Sequence, residues 1–305
     1  MAKILVTGGL GVVGSSLVHS LIERGNDVHI CDLQHSHFLN YTRCDVSSHQ
    51  QVSRLFSAHS FDYVYHLAAE FGRWNGEDFY DTLWRSNAIG TKNIIRMQEK
   101  YRFRLIFFSS SEVYGDYQGV MKEEVLENVA IKQLNDYAIT KWVGEMQVEN
   151  SRLMKGTESV RVRLFNTYGP GEFYSPYRSA VCLFTYRALH EIPYTVYLDH
   201  MRTSSYISDT ANTLANICDN FIPGRVYNIA GTQYHDMKHA SDLILKHIGI
   251  SDDLVSYKEA EDHTTKNKLV DTSLAQEEIG LKSTISMDEG IPLTVDWMKQ
   301  TYNID

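Results

Sequence analysis

The sequence predicts an α/β fold, a doubly wound parallel sheet with a smaller C-terminal lobe, and three observations predict it. Short β-rich runs alternate with helix-compatible stretches through the first half: Lys3 to Thr7, Asp27 to Asp32, Tyr63 to Ala68, Arg104 to Ser110 and Ser159 to Phe165. A glycine cluster follows the first run without a gap. From Gly169 onward the pattern becomes irregular and richer in Tyr, His and Arg, with prolines at 170, 176, 193 and 223.

Each element has a local cause. Between the first two runs Val13, Leu17 and Leu21 recur every four residues, and Gly25 stands where a helix C-terminal glycine belongs, which makes a βαβ unit. Residues 1–168 read as a dinucleotide-binding domain and 169–305 mainly as a substrate-binding lobe. A strand-like run from Arg225 to Ile229 brings the chain back to the first domain around 203–232. No internal repeat or low-complexity segment interrupts this order.

With 305 residues and 43% apolar content, the chain can bury a large core without staples. A net charge of -9 excludes a general affinity for nucleic acid, which needs a basic face. Apolar stretches of about five to eight residues fall short of the roughly 20 that span a bilayer, so no membrane segment is expected. The N-terminus enters a strand directly and lacks the pattern of a signal peptide, which predicts a cytoplasmic protein. Cys31, Cys44, Cys182 and Cys218 lie far apart with no CxxC pair, so they are expected to be reduced and structural, with no metal site.

In Thr7-Gly8-Gly9-Leu10-Gly11-Val12-Val13-Gly14, the glycines at 8, 11 and 14 let the backbone approach a pyrophosphate at the opening of a helix, whose N–H groups face its charge. This is the Rossmann-type signature, and it places Val12 and Val13 beside the dinucleotide. Asp32 ends the second strand 18 residues after Gly14, where a carboxylate accepts bonds from both ribose hydroxyls and repels a 2′-phosphate; NAD is therefore expected over NADP. Asp45 and Val46, after a short third strand, are candidates for the adenine edge and ring, with a helix-capping role for Asp45 equally open.

Tyr137 and Lys141 are four residues apart and share one helix face. A phenol with a pKa of about 10 is a poor base at neutral pH, and a fixed ammonium nearby is expected to lower it. The tyrosine can then take a hydroxyl proton as hydride leaves the same carbon.

Taken together, these pieces resemble an extended short-chain dehydrogenase/reductase of the sugar-nucleotide epimerase/dehydratase type, over nearly the whole chain. The matching segments are the glycine loop with Asp32, His66-Leu67-Ala68-Ala69, Asn87-Ala88-Ile89-Gly90-Thr91, Ser109-Ser110-Ser111-Glu112-Val113-Tyr114-Gly115, Tyr137 with Lys141, Asn166-Thr167-Tyr168-Gly169-Pro170, and Arg202 ahead of Tyr206-Ile207-Ser208-Asp209. The resemblance implies a nucleotide-diphosphate sugar as substrate and a homodimer formed through a helix pair. It implies Leu67, Ala68, Ala69 and Asn87 at the cofactor, and Ser110 on the sugar O4 beside Tyr137. Lys141 would also hold the nicotinamide ribose, Asn166 the diphosphate and Arg202 a phosphate oxygen.

The resemblance also implies a reaction. Oxidation at C4 acidifies the C5 hydrogen, and Glu112 stands where 4,6-dehydratases carry the base that starts elimination of water. Ser111 replaces the aspartic acid that protonates the leaving hydroxyl in dTDP-glucose dehydratases, so the run is more like that of GDP-mannose dehydratases. The Ser-Glu pair also resembles UDP-glucuronate decarboxylases, although Lys266-Asn267-Lys268 lacks their arginine run, and a 4-epimerase would need no Glu112 at all. An NAD-binding redox sensor or scaffold, or a simple alcohol dehydrogenase releasing NADH, are the competing classes. Glu70, Arg73, Glu172, Tyr174, Tyr177 and Arg178 are expected near the sugar or diphosphate. The segment Tyr197-Leu198-Asp199-His200-Met201 replaces the glycine-rich turn of many relatives, which predicts a different nucleotide pocket.

Overall fold

The computed structural model describes residues 1–259, 261 and 264–304. Its centre is a seven-stranded parallel sheet. Six strands come from the first half: β1 (Lys3–Thr7), β2 (Asp27–Asp32), β3 (Tyr41–Arg43), β4 (Tyr63–His66), β5 (Arg104–Ser110) and β6 (Ser159–Leu164). The seventh, Val226–Ile229, lies within the strand-like run read from Arg225. Their spatial order is Val226–Ile229, β6, β5, β4, β1, β2, β3. Strand order therefore reverses at β1, with β2 on one side and β4 on the other. In such sheets the crevice outside the carboxyl ends of the strands at the reversal is where ligands bind.

The strands read as near-continuous apolar runs because both sheet faces are covered. Side chains alternate between two cores with a period of two. Ile4, Val6, Tyr65 and Ile106 point to one face, against Leu17 and Leu21 of α1 (Val12–Glu23) and Leu214 of helix Ile207–Asp219. Leu5, Val64, Leu105 and Phe107 point to the other, against Val52, Phe56, Ile94 and Val148. The later part of the chain closes a third core around Val181, Phe184, Tyr194, Met237, Ile244 and Ile291.

Helix Asp136–Lys155, which carries Tyr137, is fixed to the sheet by a buried ion pair. Arg163 of β6 donates from Nε to Glu145 Oε1 and from Nη2 to Oε2, both at 2.9 Å, and Ser109 adds a 2.6 Å bond to Oε1. Burial works against the charged form of Glu145, but the Arg163 guanidinium and these bonds prevail and hold its carboxyl below the usual range. Two buried charges paired in this way register the helix against β5 and β6. Among the described residues, no helix is long and apolar enough to cross a membrane.

Candidate active site

One cavity of about 670 Å³ occupies the crevice at the strand reversal. Its walls include every residue singled out from the sequence except Asn87 and Tyr174.

The cofactor end begins with Gly8, Gly11, Val12, Val13 and Gly14. Gly8 has φ +70°, and a Cβ there would stand 2.7 Å from the Ala68 amide nitrogen; a Cβ on Gly14 would run into the Gly8 carbonyl. Only glycine permits this close packing of loop, helix and neighbouring strand end. With no side chains on these glycines, the loop backbone and the start of α1 line the cavity where the pyrophosphate of a dinucleotide can approach, so the residues present fit NAD. Asp32 lies at the wall with one carboxylate oxygen tied to the glycine loop by Leu10 N at 3.1 Å and the other to Leu33 N at 2.7 Å. Asp45, Val46, Leu67, Ala68 and Ala69 continue the wall. Asp45 also closes a local turn by accepting from Ser47 N at 2.8 Å, while Ser48 caps the following helix.

Asn87 stands apart from the cavity wall. It is buried behind the wall, and its amide grips the Glu70 backbone from both sides: Glu70 N donates to Oδ1 at 2.8 Å and Nδ2 donates to Glu70 O at 3.0 Å. Nδ2 also donates to Thr140 Oγ1 at 3.1 Å. Asn87 thus braces the loop after Ala69 against the Tyr137 helix and lines no cleft itself.

Ser110, Tyr137 and Lys141 meet at the middle of the cavity. Ser110 stands beside the Tyr137 phenol, where its hydroxyl favours the phenolate. The expected lowering of Tyr137 is not what the protein alone achieves: burial pushes the phenol up to about 12, the Ser110 hydroxyl opposes this, and the Glu112 charge adds to it. The reason is geometric. Lys141 Nζ donates to the Phe108 carbonyl at 2.9 Å and stands 5.8 Å from the centre of the Tyr137 ring, while its own burial lowers it to about 8.

Beyond the tyrosine, Glu112 meets a residue that sequence reasoning left unassigned. Lys268 Nζ lies 2.5 Å from Glu112 Oε1 and 3.4 Å from Ser111 Oγ. Burial drives Lys268 down to about 8 although Glu112 opposes it. Burial favours protonation of Glu112, yet Lys268, then Arg73 and Arg202, outweigh it and keep the carboxyl below its usual range. The signal for Lys268 was the basic pair at 266 and 268; what hid it was a separation of 156 residues from Glu112.

The remaining candidates form the outer walls. Arg73 holds both oxygens of Glu261 at 3.1 Å. Arg202 is pinned by the carbonyls of Met201 and Lys266, both at 2.8 Å. The Arg178 guanidinium lies 4.3 Å from the centre of the Phe71 ring, and Tyr177 donates to Asp78 at 2.8 Å, so the loops around 71–78 and 171–178 meet over the cavity. Glu172 and Glu70 both reach the wall. Burial raises Glu172, whose carboxylate accepts from the Ser179 hydroxyl and amide at the start of helix Ala180–Leu189. Glu70 accepts from Asn75 Nδ2 at 3.2 Å. Asn166 lines the cavity and its carbonyl accepts from Ser205 N at 2.9 Å. Tyr174 does not line the cavity: its ring stacks on Tyr186 at 3.7 Å and its amide donates to the Tyr302 hydroxyl, within an aromatic cluster on the lobe.

A glycine cradle for a dinucleotide opening onto a serine–tyrosine–lysine centre defines a nucleotide-dependent oxidoreductase-type site. Residues 4–230 match the model of the NAD dependent epimerase/dehydratase family, and the chain belongs to that family; its cofactor is NAD. It is 28% identical to UDP-glucuronic acid decarboxylase 1 of Xenopus tropicalis, over 98% of this chain and 72% of that protein. It is 25% identical to dTDP-glucose 4,6-dehydratase of Salmonella typhimurium, over 97% of this chain and 92% of that one. The crystal structure of UDP-glucose 4-epimerase with UDP-glucose from Thermotoga maritima superposes with a TM-score of 0.88 at 26% identity, covering 98% of this chain and 99% of that one. Relatives of this kind are sugar-nucleotide decarboxylases, dehydratases and epimerases.

Proposed function

We propose that the chain is a sugar-nucleotide dehydratase that works through a 4-keto intermediate. The observation that carries this reading is the Glu112–Lys268 pair: a carboxylate kept ionised and an ammonium kept titratable, side by side next to Ser110 and Tyr137. NAD, when bound, supplies the hydride acceptor for sugar C4 and returns the hydride later. Tyr137 takes the O4 proton, Ser110 orients that hydroxyl, and Lys141 holds positive charge beside the ring. Glu112 then removes the C5 proton, and Lys268 gives a proton to the departing C6 hydroxyl. That second role answers the departure at Ser111, whose hydroxyl is no acid at neutral pH.

The decarboxylase relative supports a second reading, and one feature of the site favours it. Arg73 Nη1 is buried without a protein partner among the described residues, close enough to Glu112 for its charge to be felt there. A C6 carboxylate would satisfy it. Incubation of purified protein with NAD and a panel of UDP-, GDP-, CDP- and dTDP-sugars including UDP-glucuronate, followed by mass spectrometry, separates the readings. A loss of about 18 mass units establishes dehydration, about 44 decarboxylation, and an isomer of unchanged mass epimerisation. We also propose a homodimer through helix Asp136–Lys155, whose outer side exposes Met146, Leu153 and Met154; a monomer mass in light scattering would remove this part.

A further inference from the structure

A turn at residues 198–200 brings the chain back past the cavity. It joins strand Tyr194–Tyr197 to strand Met201–Thr203 and is held firmly. Asp199 adopts a left-handed conformation with φ +55°, which aspartate tolerates better than most side chains. Lys266 approaches the Asp199 carboxylate at 3.6 Å, and Met201 N donates to Lys266 O at 3.1 Å. The turn presents His200, which is 3% exposed and yet lines the cavity.

The protonation of His200 follows from the Leu198 carbonyl beside its ring. Nδ1 stands 3.0 Å from the Leu198 carbonyl, which can only accept, so Nδ1 carries the hydrogen. Burial, with the Arg202 charge adding to it, lowers the ring's pKa against the opposing Leu198 bond, so the imidazole is neutral and Nε2 is a bare acceptor. No protein donor meets Nε2 among the described residues.

Position narrows the ligand group. The cavity wall includes Leu183, Phe184, Thr195 and Tyr197, an apolar and aromatic group suited to a nucleobase, and the Tyr197 ring is 5.6 Å from His200. The same wall carries the Arg202 guanidinium, suited to a phosphate, and its charge acts on His200. With His200 near both Tyr197 and Arg202, a nucleoside diphosphate that set its base on the first group and its phosphate on Arg202 would bring its pentose to His200. A lone pair repels phosphate oxygens and attracts a hydroxyl hydrogen.

We propose that His200 Nε2 accepts a hydrogen bond from a ribose hydroxyl of the bound nucleotide, so that the site reads the pentose as well as the base and phosphates. The proposal rests on the nucleotide-sugar reading of this cavity and adds a pentose specificity to it.

Calorimetric titration of the NAD-loaded protein with UDP, 2′-deoxy-UDP and 3′-deoxy-UDP, and with the same three forms of GDP, tests it. One deoxy form is expected to bind about tenfold more weakly than its parent, the size of one lost hydrogen bond. His200→Ala should abolish that difference, whereas His200→Gln, which keeps an acceptor, should retain part of it. Equal binding of all three forms by the native protein overturns the proposal without any variant. A ribose preference that persists in His200→Ala, or an equal loss for all three forms in that variant, overturns it too, the second by moving the contact to the base. Failure of every diphosphate to bind removes the nucleotide-sugar reading itself, a different outcome from binding without pentose preference.

Discussion

The two ends of the cavity are built in opposite ways. The cofactor end is made mostly by one continuous βαβ unit: Gly8, Gly11 and Gly14 and Asp32 all lie within 25 residues, and the strand end at Ala68 closes against them. The substrate end gathers Arg73, Glu112, His200 and Glu261, with Lys268 paired to Glu112, from segments nearly 200 residues apart. The first end recognises its ligand with backbone, so it depends on the absence of side chains. The second uses charged side chains, so it depends on how burial and neighbours set their protonation. A conserved scaffold chemistry can thus sit beside a reaction centre that differs from one relative to another.

The sharpest way to break this division is at Tyr137, where the ends meet. Tyr137→Phe removes the proton acceptor and leaves the glycine cradle alone, so turnover should fall by about 10²–10⁴-fold while NAD affinity in calorimetry stays within a factor of about two. A comparable loss of NAD affinity would show that the two ends are not separable.

The pH dependence sharpens the comparison further. Lys141 and Lys268 are each lowered to about 8, the first beside the hydride-transfer centre and the second beside Glu112. Lys268 can give a proton only below its pKa, so elimination should decline as pH rises through about 8. Lys268→Arg keeps the positive charge but holds its proton at any ordinary pH. In that variant, trapped NADH, read at about 340 nm, should still form, while elimination should drop by about 10²-fold or more and lose its basic limb. Retained elimination in Lys268→Arg would make the residue an electrostatic partner of Glu112 and leave protonation of the departing hydroxyl to another donor.

What the sequence made legible follows the same division. The parallel sheet was readable because both faces are covered, giving unbroken runs such as Lys3 to Thr7, and the glycine spacing was readable because a single loop carries it. Tyr137 and Lys141 were readable as neighbours because a helix places residues four apart on one face. The Glu112–Lys268 contact was not, since nothing local to either residue reports a partner 156 positions away. Asn87 and Tyr174 show a second limit. Residue type and segment were right for a ligand contact, but Asn87 is used up by the Glu70 backbone and Tyr174 by Tyr186. Competition from protein partners is a property of packing. The Tyr137 phenol shows a third: spacing alone promised a lowered pKa, whereas desolvation dominates once the ring is buried.

The smallest expected effect tests the cofactor end by itself. Asp32 already accepts bonds from Leu10 N and Leu33 N, so its carboxylate is oriented before any ligand arrives. Asp32→Ala removes the acceptor for the adenosine ribose hydroxyls and also the tie between β2 and the glycine loop. Loss of a charged hydrogen bond is worth about 1.5–3 kcal/mol, so NAD should bind roughly 10- to 150-fold more weakly. Asp32→Asn keeps the loop tie through its side-chain oxygen and removes the charge that repels a 2′-phosphate. It should therefore lose less NAD affinity and gain NADP affinity relative to NAD, measured as a ratio of dissociation constants. If Asp32→Ala weakens NAD and NADP alike while Asp32→Asn changes neither, Asp32 acts through the loop alone. The preference for NAD would then have to come from the rest of the adenosine wall, where Leu33, Asp45 and Val46 stand.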